Sequence, residues 1–544
     1  MAGHDFPHRK STAALTALAM SFGVSQEVPA GTNLFAAGDL DPDFFVLAGA
    51  QVALVVSDGL TGVRKTIAFQ GPTDFVGELG QLTHQAAFVT ARVTQSGPVW
   101  RIPADRIQEL MSRDGSVAEV FMQTFQARRE WFLEFAGDSL IAAGREHDSV
   151  SNALRAFLVR MRLPHRWIDE GDPAAARLQA RYGIGALPLV AMEGHVLTRA
   201  APDDVAEKVG HAYRRSQESV ADMLVIGGGP AGMAAAVYGA SEGLDTVCVD
   251  GVGPGGQAAA TSRIENYLGF PEGLSGDELL NKAALQALKF GAGLHAPLEV
   301  VALEPSGPII RVALRGPAVI LARTVVIATG VRYRNLDIDR WADFIGAGIY
   351  YGASDLEARQ CQGQGVIVVG GGNSAGQACL YLAQRDCDVT LVIRGGQLDA
   401  SMSAYLVSRI RQNSCVRVLL NAEVRALHGE RNLEAVTISS TERGPETLAA
   451  SALFCFVGAV PDTDWLPGLA LDDHGFVLTG AEAQTTTSAN NPPLPFETSL
   501  AGVFAAGDVR SGSMKRVAAA AGEGASAVAS VHRRLAVLDA AAIG

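Results

Sequence analysis

The chain has 544 residues, beyond the roughly 250 to 300 that one hydrophobic core sustains, so three or four domains are expected. With 48% hydrophobic and 19% charged residues it has a globular composition, and a net charge of −13 excludes nucleic-acid backbones and anionic membranes as default partners. The six cysteines, Cys248, Cys361, Cys379, Cys387, Cys415 and Cys455, are too few for a disulfide scaffold and point to a reducing, cytoplasmic compartment. No two are separated by two residues, and no metal site is expected. The opening MAGHDFPHRK is not followed by an apolar signal-peptide core. The uncharged run 223–241 approaches the length of a membrane span, but its Gly-Gly-Gly-Pro interruption fits a strand, turn and helix.

Along residues 1–140, short alternating apolar runs such as FFVLAGAQVALVV (44–56) and VRKTIAF (63–69) predict an antiparallel barrel. Apolar residues three and four apart over 106–135 then predict a helical segment. FVGELGQL (75–82) is similar to the phosphate-binding cassette of cyclic-nucleotide-binding domains. That resemblance puts Glu78 at the ribose-binding position, but Ala86, Ala87 and Phe88 stand where the family's phosphate-binding arginine should fall, and Arg92 lies further along the next strand. A buried phosphate without its guanidinium is costly, so no cyclic nucleotide is expected here, and a structural or dimerising role is.

Residues 147–210 read as a small α/β unit, with helix then strand over 153–169, a strand at 187–193 and a closing helix at 202–210. The order resembles the thioredoxin or glutaredoxin fold, which makes Pro188 the expected cis-proline. Where that family carries its C-x-x-C, DSVSNAL (148–154) offers serines, which cannot cycle a disulfide, so an inert docking or spacer unit is expected.

The run DMLVIGGGPAGMAAAVYGASEGLDTVCVD (222–250) leads an apolar strand into Gly227-x-Gly229-Pro230-Ala231-Gly232, a small-residue helix and a second strand ending in Asp250. In a dinucleotide site the first glycine makes the turn, the second admits the pyrophosphate and the third lets helix meet strand, while the acid accepts from the adenosine ribose. A second copy at 365–394 offers Gly370, Gly372 and Ala375 and ends in Arg394, which favours NADPH, with NADH the alternative. Asn373 and Ser374 cap that turn or donate to phosphate. Two such sites in one chain predict two dinucleotides and hydride transfer between them.

ARTVVIATG (322–330), ending in Ala328, Thr329 and Gly330, GPGGQ (253–257), RIENYLGFP (263–271) and VFAAGDV (503–509) closely resemble the low-molecular-weight thioredoxin reductases, over 222 to about 533. The resemblance implies FAD at the first turn, with Gly255, Gly256, Gln257 and Asn266 against the isoalloxazine and Asp508, after Gly507, on the ribityl chain. It divides the chain into a flavin domain, 220–340 and 456–544, interrupted by a nicotinamide domain, 341–455, with hinges near 330–343 and 456–461. A homodimer is expected on the same ground. The predicted architecture is a multidomain α/β flavoprotein with two three-layer, Rossmann-like dinucleotide-binding domains, preceded by the barrel and thioredoxin-like units. That order resembles cyclic-nucleotide-domain-fused thioredoxin-reductase-like proteins.

The chain departs from the reductases at their C-A-T-C-D, where Tyr351 and Ser354 take the cysteine positions and Asp355 that of the proton donor. Tyr351 is expected near the flavin ring and Asp355 as a proton source, or else as a helix start. The family's R-Q-A becomes Lys515-Arg516-Val517, a cation at the flavin N1–C2=O edge or a solvent-facing charge, and only Arg394 remains of its phosphate-binding arginines, with Arg409 or Arg411 as helpers. The expected function is an NAD(P)H:flavin oxidoreductase whose electron acceptor is unknown. The alternatives are reduction by a protein donor such as ferredoxin, and a flavin-bearing sensor or scaffold.

Overall fold

The computed structural model describes residues 13–77, 83, 85–145, 148–182, 186–192, 195–216, 218–261, 263–345, 347–353, 355–430, 432–441, 443–484 and 492–543. Glu78 and Ser354 lie outside them. The chain divides into two compact units, one of Met1–Ser219, Ala240–Gly253 and Leu285–Glu299, the other of Val220–Gly239, Pro254–Ala284 and Val300–Gly544. Part of the expected flavin segment 220–340 is thus counted with the first unit. Within that unit Leu285 joins the core of Phe44, Phe75 and Phe121, Ala296 joins that of Leu154 and Phe157, and Gln108 Nε2 donates to the Leu288 carbonyl.

The first unit opens with two four-stranded antiparallel sheets, as the alternating runs predict. One orders Val24–Val28, Gly97–Ile102, Phe44–Leu47 and Phe75–Val76, the other Asn33–Phe35, Thr90–Gln95, Gln51–Ser57 and Arg64–Gln70. Its apolar centre holds Phe44, Phe75 and Phe121 with ring centroids 5.3 to 6.3 Å apart. The helical segment is two helices, Ile107–Arg113 and Gly115–Phe135. Asp114 breaks it by leaving helical geometry at φ −142° and accepting the Ser116 N–H, an N-cap that offsets the lost turn.

The next sheet orders Arg166–Asp169, Leu140–Gly144, Leu189–Met192 and His195–Thr198, with the first pair parallel and the others antiparallel. Its central strand Leu140–Gly144 precedes residue 147, where the unit was expected to begin. LIAAG is buried along its whole length, so it carries no alternation to mark it as a strand. The Leu187–Pro188 bond is cis, as the resemblance implies. At the helix Ser149–Arg160, Asp148 Oδ2 accepts both the N–H and the hydroxyl of Ser151 at 2.8 Å. The segment DSVSNAL, which offered serines, thus begins with a carboxylate N-cap.

In the second unit Val220–Ile226 pairs parallel with Val319–Ile327, which pairs parallel with Val503–Ala505 on its other side and antiparallel with Ile309–Leu314. Met223, Leu224, Val225, Val325, Val326 and Ile327 are all buried, each contributing about 1.5–3 kcal/mol, so the sheet is a rigid base for the turns at its strand ends. The insert carries a five-stranded parallel sheet, ordered Ile349–Tyr350, Ala452–Cys455, Gly365–Val369, Asp388–Val392, Val416–Leu419, and a three-stranded antiparallel sheet spanning 422–449. The two passages into and out of this insert lie side by side, because Val331–Tyr333 pairs antiparallel with Ala459–Pro461. No helix among the described residues is long and apolar enough to cross a membrane.

Candidate active site

The first glycine turn is shaped by contacts that exclude side chains. Gly227 has φ +109°, and a Cβ there would lie 2.4 Å from the Ala328 carbonyl oxygen; a Cβ on Gly232 would lie 1.8 Å from that of Gly227. Gly255 N donates to Gly228 O at 2.7 Å, and a Cβ on Gly256 would stand 2.8 Å from the Gly229 Cα, so two glycine backbones are laid on one another. The helix Pro230–Ser241 makes its first internal bond from Met233 N to Gly229 O, leaving the Ala231 and Gly232 amides ahead of it for an anion. Beside this cradle the Thr329 hydroxyl is buried and unpaired, a polar atom that a bound group would satisfy. The residues fit a dinucleotide.

Other expected ligands are partly engaged by the chain. One Asp250 oxygen accepts the Val252 and Gly253 amides at 2.8 Å, so Asp250 also closes its own turn. The Gln257 amide donates to the Val331 carbonyl, and Asn266 is exposed. Asp508 follows Gly507 (φ +77°) and is half-buried. Burial raises its carboxyl above the usual range, against the pull of Lys515. Lys515 Nζ donates to the Asp508 carbonyl oxygen at 2.8 Å and lies 3.9 Å from the centre of the Phe476 ring. Desolvation lowers its ammonium, against Asp508 and Glu523. Arg516 is exposed just ahead of the helix Val517–Ile543.

At the second turn Gly370 has φ +142°, with its missing Cβ 2.5 Å from the Phe456 carbonyl, while around Gly372 there is nothing within 4 Å. Gly372, rather than Asn373 or Ser374, is the N-cap of the helix Asn373–Ala383. The Asn373 side chain turns the other way, its Oδ1 accepting from Ser403 N at 2.7 Å, and Ser401 Oγ donates to the Gly371 carbonyl at 3.0 Å. Ser374 is exposed and Ala375 buried. The segment 401–403 is thereby strapped to the glycine turn, a contact that sequence spacing did not reveal. Arg394 is exposed at its strand end, and Arg409 stands instead 3.8 Å from Glu265.

A family model described as pyridine nucleotide-disulphide oxidoreductase matches residues 221–524, more than half the chain. The chain belongs to this family. A cyclic nucleotide-binding domain model matches residues 25–114. A thioredoxin reductase of Streptomyces clavuligerus is 34% identical over 327 residues, 59% of this chain and 95% of the relative. Among solved structures, the Lactococcus lactis thioredoxin reductase in its FR conformation and that of T. acidophilum each match with a TM-score of 0.52 and 26% identity, over 58% of this chain and 99% of theirs. The protein is an NAD(P)H-dependent flavin oxidoreductase of the thioredoxin-reductase-like class, with FAD and NAD(P)H as its cofactors.

In this member of the pyridine nucleotide-disulphide oxidoreductases, the segment holding Tyr351 approaches the GGQ segment, for a Cβ on Gly352 would meet the Ala260 Cβ at 2.9 Å. Tyr351 itself stacks on Tyr333, 5.5 Å between centroids and 3° between planes. Its hydroxyl accepts from Trp341 Nε1 at 2.9 Å and donates to Asn335 Oδ1. Tyr351 is thereby tied into a cluster beside the strand Val331–Tyr333, where the buried indole N–H of Trp341 finds its acceptor. Desolvation raises the phenol of Tyr351 above its usual range. Asp355 is the first residue of the helix Asp355–Gln360. Cys361, Cys379, Cys387 and Cys455 are buried, and only Cys415 of the six cysteines is exposed. Burial pushes the Cys387 and Cys455 thiols up to about 11, and raises those of Cys361 and Cys379.

Proposed function

We propose that the protein passes electrons from NAD(P)H, with NADPH preferred, through FAD directly to an acceptor outside its own cysteines. When bound, the cofactors supply the two-electron chemistry, hydride leaving nicotinamide C4 for flavin N5. The first turn and Asp508 hold one dinucleotide, and the Gly370–Ala375 turn with Arg394 holds the other. Asp355 serves as proton donor at the segment beside Ala260. In this reading the barrel takes no cyclic nucleotide: Ala86, Ala87 and Phe88 line a cavity whose one guanidinium among the described residues, Arg128, donates to the Phe75 carbonyl and Gln70 Oε1.

The observation that carries the reading is Gly352 against Ala260, in the segment where the resemblance places a reductase's cysteines and this chain has Tyr351. Thiols pushed up to about 11 are roughly one part in ten thousand thiolate at neutral pH, so Cys387 and Cys455 make poor substitutes.

The test is an anaerobic titration of the holoprotein with NADPH and then NADH, following the flavin band, combined with a thioredoxin-coupled disulfide assay. Flavin bleaching, NADPH ahead of NADH, with no disulfide reduction is the expected result. No bleaching by either nucleotide while dithionite still reduces the flavin overturns the nicotinamide donor, and turnover of thioredoxin overturns the direct route.

A further inference from the structure

Asp508 is held from both sides by charged side chains of opposite sign. On its N-terminal side, Gly507 N donates to Glu523 Oε2 at 2.8 Å; on its C-terminal side, Lys515 Nζ donates to the Asp508 carbonyl oxygen at 2.8 Å. Glu523 is itself fixed by Arg510, whose Nε reaches Oε2 at 3.0 Å and whose Nη2 reaches Oε1 at 2.7 Å, fork to fork. Arg510 and Glu523 expose only 19% and 13% of their side chains, so the pair is shielded from salt in a way that surface pairs are not. Behind the turn a Cβ on Gly507 would meet the Ala231 Cβ at 2.7 Å, which closes the direction away from the clamp. Gly524, next to Glu523, packs as tightly, its missing Cβ 2.0 Å from the Ala231 carbonyl, so the helix that carries Glu523 is registered on the first glycine turn itself.

The carboxylate of Asp508 is the one part of this turn left over. Among the described residues none donates a hydrogen bond to it, although its backbone is bonded on either side. We infer that Glu523 and Lys515 are positioning residues that pin the two peptides flanking the Asp508 side chain, so that its carboxylate is presented to the ribityl hydroxyls of FAD. Lys515 then acts through the Asp508 backbone and not as a counter-charge on the flavin ring. The inference rests on FAD occupying the first turn. Failure of that reading would appear as loss of flavin from the unaltered protein, and failure of the inference only in the variants.

The experiment measures two quantities on the holoprotein: the FAD dissociation constant, from free-flavin fluorescence recovered on dilution, and the flavin midpoint potential, from photoreduction beside a reference dye. Lys515→Met is expected to weaken FAD about tenfold, the loss of one charge-assisted hydrogen bond, with the midpoint potential unmoved. Lys515→Arg keeps a donor for the carbonyl and is expected to restore binding to within about threefold. Glu523→Gln loses the Arg510 fork and is expected to weaken FAD about tenfold as well. A Lys515→Met protein that keeps its FAD affinity and loses potential overturns the inference, because the ammonium would then act on the flavin. Equal weakening in Lys515→Arg and Lys515→Met overturns it too. If Lys515→Met yields no holoprotein, Glu523→Gln decides alone, and unchanged FAD affinity there overturns the clamp.

Discussion

The two glycine turns of this chain share a sequence pattern and differ in how much room they leave. At the first, Cβ atoms on Gly227, Gly232 and Gly256 would all fall within 3 Å of backbone atoms, so helix, strand and the GGQ segment are in contact through main chain alone. At the second, only Gly370 is so confined; Gly372 is open, and Ala375 already fills the third position. The first turn is closed by other glycines and the second by a side-chain strap, Asn373 to Ser403 and Ser401 to Gly371. A motif of three small residues therefore encodes different tolerances, set by what the fold lays on top of it.

That contrast can be broken most sharply at Gly232. Gly232→Ala forces a Cβ to 1.8 Å from a backbone oxygen, so the helix must move off the strand. FAD retention is expected to fall about 100-fold or more, measured as flavin per protein after gel filtration. At the second turn Arg394→Ala is expected to raise KM for NADPH about tenfold and leave KM for NADH unchanged, which steady-state flavin-reduction assays would read. Equal effects on both nucleotides would show that Arg394 does not contact the 2'-phosphate. Gly372→Ala sharpens the comparison because φ is −92° and the space is open, so thermal unfolding should shift by less than the equivalent of about 1 kcal/mol while NADPH affinity falls. Asn373→Ala removes the strap's bond to Ser403 N and is expected to cost about 1 kcal/mol in denaturant unfolding, with FAD content intact.

A second contrast lies between Asp148 and Tyr351. At the start of the helix Ser149–Arg160, Asp148 caps the helix by accepting from Ser151, a bond between near neighbours in the chain. Tyr351 is fixed by residues further off, stacking on Tyr333 and bonding Trp341 and Asn335. The three partners are between ten and eighteen residues away along the chain and carry no spacing rule, so no local pattern pointed to them. The strand Leu140–Gly144 was hidden for a related reason, since burial on both faces removes the alternation by which strands are recognised.

By itself the sequence determined the features that depend on residues close together in the chain: two strand–turn–helix dinucleotide motifs, the alternation of the barrel, the absence of a C-x-x-C, and with them the flavin-oxidoreductase class. Backbone chemistry makes these local, because a glycine turn needs glycine wherever it occurs and a disulfide needs cysteine. Only the tertiary structure decided which polar groups are spent on the protein and which remain for a ligand. Asn373 bonds Ser403, Asp250 closes its own turn, and Asp508 keeps its carboxylate because Glu523, fifteen residues on, and Lys515 hold the backbone around it instead. Hydrogen bonds are short and directional, so their partners are chosen by where the packed helices and strands place each atom, which no single segment contains.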